Sequence, residues 1–255
     1  MSAALSGRTA IVTGAGQGVG EGIARALAEA GANVVVAARR AETGEPVARS
    51  IRAGGGSAWC TETDVTNAGS VAAAVAEAVR RFGGLEIVVH NAYRGGPAHR
   101  VEDADDGAWA PSSRTAVWGS FFCARAAYPH LAAAGGQGRL VLVSSPAGVE
   151  GSANLPLYAA VKGAQRSLAK SLAREWGADA ITVNCIAPVA ETPALAGAFT
   201  RDPDLRARIA ERTALGRVGD PARDIGPVVV WLASDAASYV TGQTVVCDGG
   251  GFLGL

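Results

Sequence analysis

The amino-acid sequence predicts an α/β protein with a single, doubly wound domain, in which helices cover both faces of a parallel sheet. Short apolar runs of strand length alternate with longer helical patterns, which is typical of β-α-β units. The apolar runs lack polar alternation, as expected for strands buried on both faces. The chain has 255 residues, 49% of them hydrophobic, without a repeat, linker or composition break. We therefore expect one domain over residues 1–255.

The predicted elements follow in chain order. Strands are predicted at 9–13, 33–38, 85–90, 139–144, 181–187 and 244–248, with a shorter one around 58–60. Helices are predicted at 20–30, 70–82, 120–134, 157–177 and 224–234. Right-handed crossovers bring the carboxyl ends of such strands to one edge of the sheet, and ligands of open α/β sheets bind at that edge.

Composition excludes several classes of function. The 23 basic and 23 acidic residues cancel, which argues against nucleic acid or an anionic membrane as the main partner. We also expect no transmembrane segment and no signal peptide. The four cysteines are scattered and the three histidines show no metal-ligand spacing. These features predict reduced thiols, no metal site and a cytoplasmic location.

A glycine-rich loop connects the first strand to the first helix. Its sequence, TGAGQGVG at 13–20, places glycines where a backbone turns tightly and approaches a pyrophosphate. The spacing differs from the usual G-x-G-x-x-G, but its position in the first β-α turn favours a nucleotide over a plain loop. This is the position of the phosphate loop in a Rossmann fold. The predicted cofactor contacts here are Gly14, Gln17, Gly18, Val19 and Gly20.

Arg39 and Arg40 follow the second strand directly, and no acidic residue occurs before Glu42. A carboxylate at this point would receive a ribose 2′-hydroxyl, whereas arginine accommodates a 2′-phosphate. The sequence therefore favours NADP(H) over NAD(H). The alternative is that both arginines are merely solvated. Asp64 and Val65 follow the third strand and are expected near the adenine.

Tyr158 and Lys162 are four residues apart, so their side chains share one face of the 157–177 helix. The strand just upstream delivers Ser144 and Ser145 to the ligand-binding edge. A nearby ammonium favours the phenolate and is expected to lower the pKa of Tyr158 from about 10 towards neutrality. Such a phenol can exchange a proton with a carbonyl or an alcohol while a serine hydroxyl holds the same oxygen.

At this point the chain resembles the short-chain dehydrogenase/reductase family over nearly its whole length, in the subgroup with a TGxxxGxG cofactor loop and a YxxxK active site. The matching features are the 13–20 loop, Asp64, Asn91-Ala92, Ser145 thirteen residues before Tyr158, Lys162, Asn184, Pro188, Thr192 and the ending YVTGQTVVCDGG at 239–250.

The resemblance implies a nicotinamide-dependent oxidoreductase, commonly a homotetramer, with a homodimer as the alternative. It implies that Tyr158 is the general acid/base, that Lys162 tunes it and binds the nicotinamide ribose, and that Ser145 orients the substrate. Thr192 would contact the carboxamide. The cofactor contacts implied in addition are Asn91, Ala92, Pro188 and Thr192.

Three positions depart from the family. The family's N-N-A-G is HNAY here, so that Tyr93 replaces a glycine; the loop PVAETP after the sixth strand lacks the family's glycine. The family's catalytic asparagine, which holds a water linked to the lysine, is replaced by Ala116. We hypothesise that Ser112 or Ser113 assists in its place; the alternative is that water alone suffices at a modest rate.

We expect Tyr93 and Arg94 at the mouth of the substrate pocket. The Tyr93 ring would form a wall of the pocket, and Arg94 would attract a polar or anionic group. The alternative places Tyr93 over the adenosine ribose and leaves Arg94 solvated. A mobile substrate lid is expected at about 190–217. The remaining pocket candidates are mostly apolar, which favours a hydrophobic ketone or alcohol, including cyclic ones: Ala147, Val149, Leu155, Val189, Leu195 and Phe199.

The leading functional interpretation is an NADP(H)-dependent carbonyl reductase or alcohol dehydrogenase. The altered HNAY segment and Ala116 motivate an alternative, a catalytically weak nucleotide-binding or scaffold protein. An enoyl reductase is less favoured, because that subgroup spaces its tyrosine and lysine seven apart and position 165 here is Gln165. A cofactor-free dehalogenase relative would carry arginine in place of Lys162.

Overall fold

The structure is a computed structural model, and it describes residues 4–96, 98–105, 107–153 and 155–253, without the side chain of Ala194. The ends of the expected 1–255 domain, and that one side chain of the expected lid, lie outside the described residues. Seven parallel strands form one sheet in the order β3-β2-β1-β4-β5-β6-β7. The strands are β1 (Thr9–Thr13), β2 (Asn33–Ala38), β3 (Ser57–Glu62), β4 (Ile87–His90), β5 (Arg139–Val143), β6 (Thr182–Pro188) and β7 (Thr244–Cys247).

Helices connect these strands. The α-helices are α1 (Gly18–Glu29), α2 (Ala41–Ala53), α3 (Ala68–Phe82), α4 (Trp109–Ser113), α5 (Gly119–Ala133), α6 (Ala147–Glu150), α7 (Pro156–Glu175), α8 (Pro193–Arg201), α9 (Leu205–Glu211) and α10 (Gly226–Ala233). Short 3₁₀ turns are Val101–Asp103, Gly177–Asp179 and Asp235–Ala237, and π-helical segments are Arg114–Trp118 and Pro221–Ile225.

Two hydrophobic cores lie on opposite faces of the sheet. Alternate residues of β2 divide between them: Val34 and Val36 belong to one core, and Val35 and Ala37 to the other. Helices α1 and α10 cover the first face, and α3, α5 and α7 cover the second. Burial on both faces explains why the strand sequences are apolar without alternation. The predicted single-domain, doubly wound parallel fold is confirmed.

Helix α2 is absent from the elements that the sequence predicts. Its sequence contains Gly44 and Pro46, which are unfavourable inside helices. Gly44 is required by packing, because a Cβ there would lie 2.6 Å from the Cys60 sulfur on β3. Close contact between helix and sheet therefore overrides the weak local propensity.

The register of the sheet brings the strand ends together. Thr13, the last residue of β1, pairs with Ala37 on β2 and with His90 on β4. The segments that leave these strands, and those after β5 and β6, consequently meet along one edge. In the part of the chain that the structure describes, no helix is both long and apolar enough to cross a membrane.

Candidate active site

The glycine loop after β1 is a tight cradle. Gly14 and Gly18 adopt the left-handed φ values of +65° and +60°, which favour glycine. A Cβ on Gly20 would lie 2.4 Å from the Asn91 side-chain nitrogen and 2.5 Å from the Gly14 carbonyl oxygen. Side chains at Gly14 and Gly20 would collide with the segment after β4, so glycine is what lets the loop close tightly, as the phosphate loop of this fold does.

Helix α1 begins at Gly18, directly after the cradle. Its N-cap residue Gln17 is extended and its side chain caps no backbone N–H group. The amides of the first turn and the positive end of the helix dipole are therefore available to an anion. The cradle and the uncapped helix together fit a dinucleotide cofactor.

The side chains of Arg39 and Arg40 are exposed at the carboxyl end of β2. Neither guanidinium makes a hydrogen bond or ion pair with a described residue. Nearby, the Asp64 carboxylate accepts from the Thr66 backbone and hydroxyl at 2.9 and 2.8 Å, while Val65 is buried. The structure brings all four residues with expected adenosine contacts to the same edge as the glycine cradle.

Asn91 holds the cradle in place. Its side-chain amide donates to the Thr13 and Gly14 carbonyls at 3.0 and 3.2 Å, and its backbone amide donates to the Thr13 hydroxyl at 3.1 Å. Ala92 donates to the same hydroxyl. These bonds explain why a short polar side chain follows β4.

His90 is fully buried and its ring completes this network. Its Nε2 lies 3.1 Å from the Thr115 carbonyl, which can only accept, so Nε2 carries the proton. Its Nδ1 lies 3.0 Å from the Thr13 hydroxyl, which receives two backbone amides and can therefore donate to the ring. The ring is neutral, since burial, and secondarily the charge of Lys162, lower the pKa of His90 to about 4.

We expect His90 to make the fold acid-sensitive. The unfolded chain binds a proton at about pH 6.5 but the folded chain only near 4, so stability falls as pH drops through this window. The shift corresponds to roughly 3 kcal/mol. His90→Asn should remove that part of the pH dependence, measured by urea unfolding at pH 7.5 and 4.5, whereas the control His130→Asn should keep it. Equal pH dependence in wild type and His90→Asn would contradict this role.

Ser145 and Tyr158 meet at the carboxyl end of β5. Ser145 is buried just beyond the strand, and Tyr158 is half-buried on the first turns of α7. Burial raises the pKa of Tyr158, a hydrogen bond from Ser145 lowers it, and the neighbouring Tyr93 raises it further. The expectation of a pKa lowered by Lys162 is therefore wrong for the protein without a ligand, because desolvation dominates.

Lys162 lies one turn after Tyr158 on α7, and its side chain is buried. Its Nζ donates to the Val143 carbonyl at 2.7 Å and to the Gln165 side-chain oxygen at 3.0 Å, and it lies 5.8 Å from the centroid of the Tyr158 ring. The Ser144 hydroxyl donates to the Lys162 carbonyl at 2.8 Å. Burial lowers the pKa of Lys162 to about 7. The ammonium is thus fixed by neutral acceptors only.

Tyr93 turns towards Tyr158 and Lys162. Its ring packs edge-on against Tyr158 with centroids 5.0 Å apart, and the Lys162 Nζ lies 5.0 Å from its centroid. Its hydroxyl is 3.1 Å from the Ser112 hydroxyl. A Cβ at position 95 would lie 2.0 Å from that hydroxyl, so Gly95 is needed for this position. Of the two interpretations of Tyr93, this geometry favours the pocket wall.

The hypothesis that Ser112 or Ser113 assists Lys162 is not supported by the contacts. Ser112 bonds to Tyr93, and the Ser113 hydroxyl donates to the Ala110 carbonyl at 3.3 Å. The sequence interpretation missed Gln165, which contacts Lys162 instead. The signal in the sequence is a glutamine one turn after the lysine, on the same side of α7.

The segment after β6 runs beside the cradle. The Thr192 hydroxyl caps α8 by accepting from the Leu195 amide at 3.2 Å, and its methyl would lie 3.3 Å from a Cβ on Gly18. Pro188 ends β6. Helices α8 and α9 form the region of the expected lid.

The six mostly apolar pocket candidates are all half-buried, on α6, before α7, after β6 and on α8: Ala147, Val149, Leu155, Val189, Leu195 and Phe199.

Comparison with known proteins gives matches along almost the whole chain. A family model described as enoyl-(acyl carrier protein) reductase matches residues 14–251. A cis-4-hydroxycyclohexanecarboxylate dehydrogenase from Sinomonas cyclohexanicum is 39% identical over 251 residues, 98% of either protein.

Two solved structures match with both fold and sequence. A 7α-hydroxysteroid dehydrogenase complexed with NADH and 7-oxo glycochenodeoxycholic acid has a TM-score of 0.91 at 33% identity, covering 98% of this chain and 96% of that one. A gluconate 5-dehydrogenase from Burkholderia cenocepacia J2315, in complex with NADP and tartrate, has a TM-score of 0.89 at 33% identity, covering 96% and 95%. These likenesses show an oxidoreductase that uses a nicotinamide cofactor, and the chain belongs to the short-chain dehydrogenase/reductase family.

Proposed function

We propose that the protein is an NADP(H)-dependent oxidoreductase that interconverts a ketone and a secondary alcohol. The observation that carries this proposal is the convergence of Ser145, Tyr158 and Lys162 beside the glycine cradle. Ser145 lies just beyond the end of β5, whereas Tyr158 and Lys162 lie one turn apart on α7. These three residues lie at the same sheet edge as the uncapped start of α1, which suits a cofactor phosphate. This arrangement supports a site in which the cofactor and the substrate oxygen bind side by side.

In this proposal the substrate oxygen binds between the Ser145 hydroxyl and the Tyr158 phenol. Tyr158 gives its proton to the oxygen during ketone reduction and removes it during alcohol oxidation. Ser145 donates a hydrogen bond to the same oxygen and holds it in line. The cofactor, when bound, supplies or accepts the hydride. The Lys162 ammonium favours the phenolate form, and exclusion of water by a ligand strengthens its effect on Tyr158.

The cofactor preference rests on Arg39 and Arg40. Both guanidiniums are exposed without a partner among the described residues, directly after β2. In this proposal Arg39 binds the 2′-phosphate, with which a guanidinium forms short, charge-assisted hydrogen bonds. Glu62, on the adjacent strand end, directs its carboxylate to the first amide of α2 at 3.3 Å. The Glu62 carboxylate therefore accepts a hydrogen bond from the start of α2.

We propose a cyclic substrate with a carboxylate at a distance from the reacting carbon. The half-buried apolar side chains around the site fit a ring, and Tyr93 forms one wall beside Tyr158. The Arg94 guanidinium is exposed, while its backbone amide donates to the Thr115 hydroxyl at 3.1 Å. A fixed backbone beside the pocket mouth suits Arg94 to attract an anionic group. The cyclohexanecarboxylate relative supports this class of substrate.

A homotetramer, or at least a homodimer, is part of the proposal. Helix α5 is apolar on two sides: Ala127 and Leu131 face the core, while Phe121 and Tyr128 are exposed. Trp118, just before the helix, is 54% exposed. A helix that is hydrophobic all round is normally covered, and a second copy of the chain would cover this one. The free thiols of all four cysteines suit the proposed cytoplasmic location.

The proposed function is tested by absorbance at the nicotinamide band. We would offer NADPH and NADH with 4-oxocyclohexanecarboxylate, its methyl ester and an α,β-unsaturated thioester. We expect turnover with NADPH and the ketones, and a lower KM for the carboxylate than for its ester. Turnover of the thioester alone would favour an enoyl reductase, and NADPH binding without turnover on a broad ketone panel would favour a scaffold role.

A further inference from the structure

Behind Lys162 lies a buried chain of hydrogen bonds that the proposed chemistry does not by itself explain. Gln165 is 1% exposed and its side-chain oxygen accepts from the Lys162 Nζ at 3.0 Å. Its side-chain nitrogen donates to the Ser120 hydroxyl at 3.0 Å. Ser120, fully buried on α5, donates in turn to the Ala116 carbonyl at 2.6 Å. The chain therefore links α7 to the π-helical segment and α5.

The direction of every bond in this chain is determined. The Ala116 carbonyl can only accept, so the Ser120 proton points to it and the Ser120 oxygen is left as an acceptor. The Gln165 amide must then present its NH₂ group to Ser120 and its oxygen to Lys162. The reversed amide would set NH₂ against an ammonium. Ser120, together with the Ala116 carbonyl that accepts from the same NH₂ group at 3.4 Å, thus fixes the orientation in which Gln165 stabilises a positive charge.

Neutral or weakly acidic groups surround the rest of Lys162. His90 on β4 is neutral, Cys185 on β6 is a buried thiol with a raised pKa, and Tyr158 and Tyr93 present their rings. Among the described residues no carboxylate pairs with the ammonium. Among the described side chains, Gln165 is therefore the one that accepts a hydrogen bond from the ammonium. The second acceptor is the backbone carbonyl of Val143.

We propose that Gln165 is a positioning residue for Lys162: its amide, oriented by Ser120, holds the ammonium in place and in its charged form beside Tyr158. This inference rests on the proposed function for its catalytic meaning, but the contact with Lys162 can be tested without it. A primary amide keeps its protons, so Gln165 stabilises the charge and does not relay a proton. The site that lacks an asparagine at Ala116 thereby supports its lysine through Gln165, one turn further along α7.

The sequence offers a direct test, because Lys162 and Lys170 are its only lysines. Protein labelled with ¹³C and ¹⁵N in lysine gives two side-chain resonances, and Lys170→Arg assigns them. We would titrate the protein without cofactor in wild type, Gln165→Met and Gln165→Glu. Loss of the acceptor should lower the pKa of Lys162 by about one unit or more, whereas a carboxylate should raise it. The resonance of the exposed Lys170 should be the same in all three proteins at each pH.

A purely structural role would lower the thermal stability of Gln165→Met and leave the Lys162 titration where it is in wild type; that result would overturn the proposal. If Gln165→Met does not fold, Gln165→Glu decides the question, and an unchanged titration of Lys162 in that variant would equally overturn the proposal. In turnover assays the rising limb of the pH profile for alcohol oxidation should move to higher pH in Gln165→Met, with kcat affected and KM largely retained. Absent turnover in wild type would contradict the proposed function, while the titration would still decide the role of Gln165.

Discussion

Tyr158→Phe should lower kcat by on the order of 10²–10⁴-fold, the usual contribution of a positioned proton-transfer group. The substitution removes one oxygen and leaves the ring, so the edge-on contact with Tyr93 at 5.0 Å can persist. Without the phenol the substrate oxygen has Ser145 as a hydrogen-bond donor but no group that exchanges a proton. The kinetic measurement is initial rate under saturating cofactor, in both reaction directions.

Cofactor binding by Tyr158→Phe should stay within a few-fold of wild type, measured by fluorescence titration with NADPH. Tyr239→Phe is the matched control, because Tyr239 is fully exposed and lies outside both the candidate site and the α5 surface that a second copy would cover. Its turnover should equal that of the wild type. Retention of most activity in Tyr158→Phe would exclude the phenol as the proton-transfer group.

Arg39→Ala should weaken NADPH binding by about 10–100-fold and leave NADH binding nearly unchanged. Hydrogen bonds to charged groups contribute about 1.5–3 kcal/mol, which corresponds to that range of dissociation constants. The cofactors differ only in the 2′-phosphate, so a selective effect locates the guanidinium at that group. Isothermal titration with each cofactor measures the difference.

Arg49→Ala provides the control for Arg39→Ala, since Arg49 is also exposed but lies within α2, two turns after its start, whereas Arg39 precedes the helix. It should affect neither cofactor. Arg39→Lys should recover part of the NADPH affinity, because a lysine retains the charge but not the planar fork of donors. An equal loss for NADPH and NADH in Arg39→Ala would contradict the assignment of NADP(H).

The sequence predicted most of the fold, since the strands are buried on both faces and the apolar runs mark them directly. Strands β1 and β2 have the expected limits of 9–13 and 33–38. Helix α2 was missed because Gly44 and Pro46 lower its local propensity, and only contact with β3 explains the glycine. The π-helical segment around Ala116 was also unforeseen, since hydrogen-bond register within a helix leaves no clear pattern in composition.

The candidate site was predictable where spacing along one element fixes geometry. Tyr158 and Lys162 share a helix face by their four-residue spacing, and the structure brings them together with Ser145. The directions in which the pKa values of Tyr158 and Lys162 shift were not predictable, because they depend on burial and on partners from other elements. Gln165 and Ser120 are 45 residues apart and meet only through packing of α7 on α5. The inward position of Tyr93 likewise depends on Gly95 and Ser112.

The most direct test of ketone and alcohol interconversion is the destination of the transferred hydrogen. NADPH carrying deuterium at C4 on the transferred face would be incubated with the protein and the best ketone of the panel, and the product analysed by NMR and mass spectrometry. We expect a secondary alcohol with one deuterium on the carbinol carbon, formed on the order of 10²–10⁴-fold more slowly by Tyr158→Phe. Deuterium on the β-carbon of an intact carbonyl compound, or an unlabelled product, would contradict the proposed reaction.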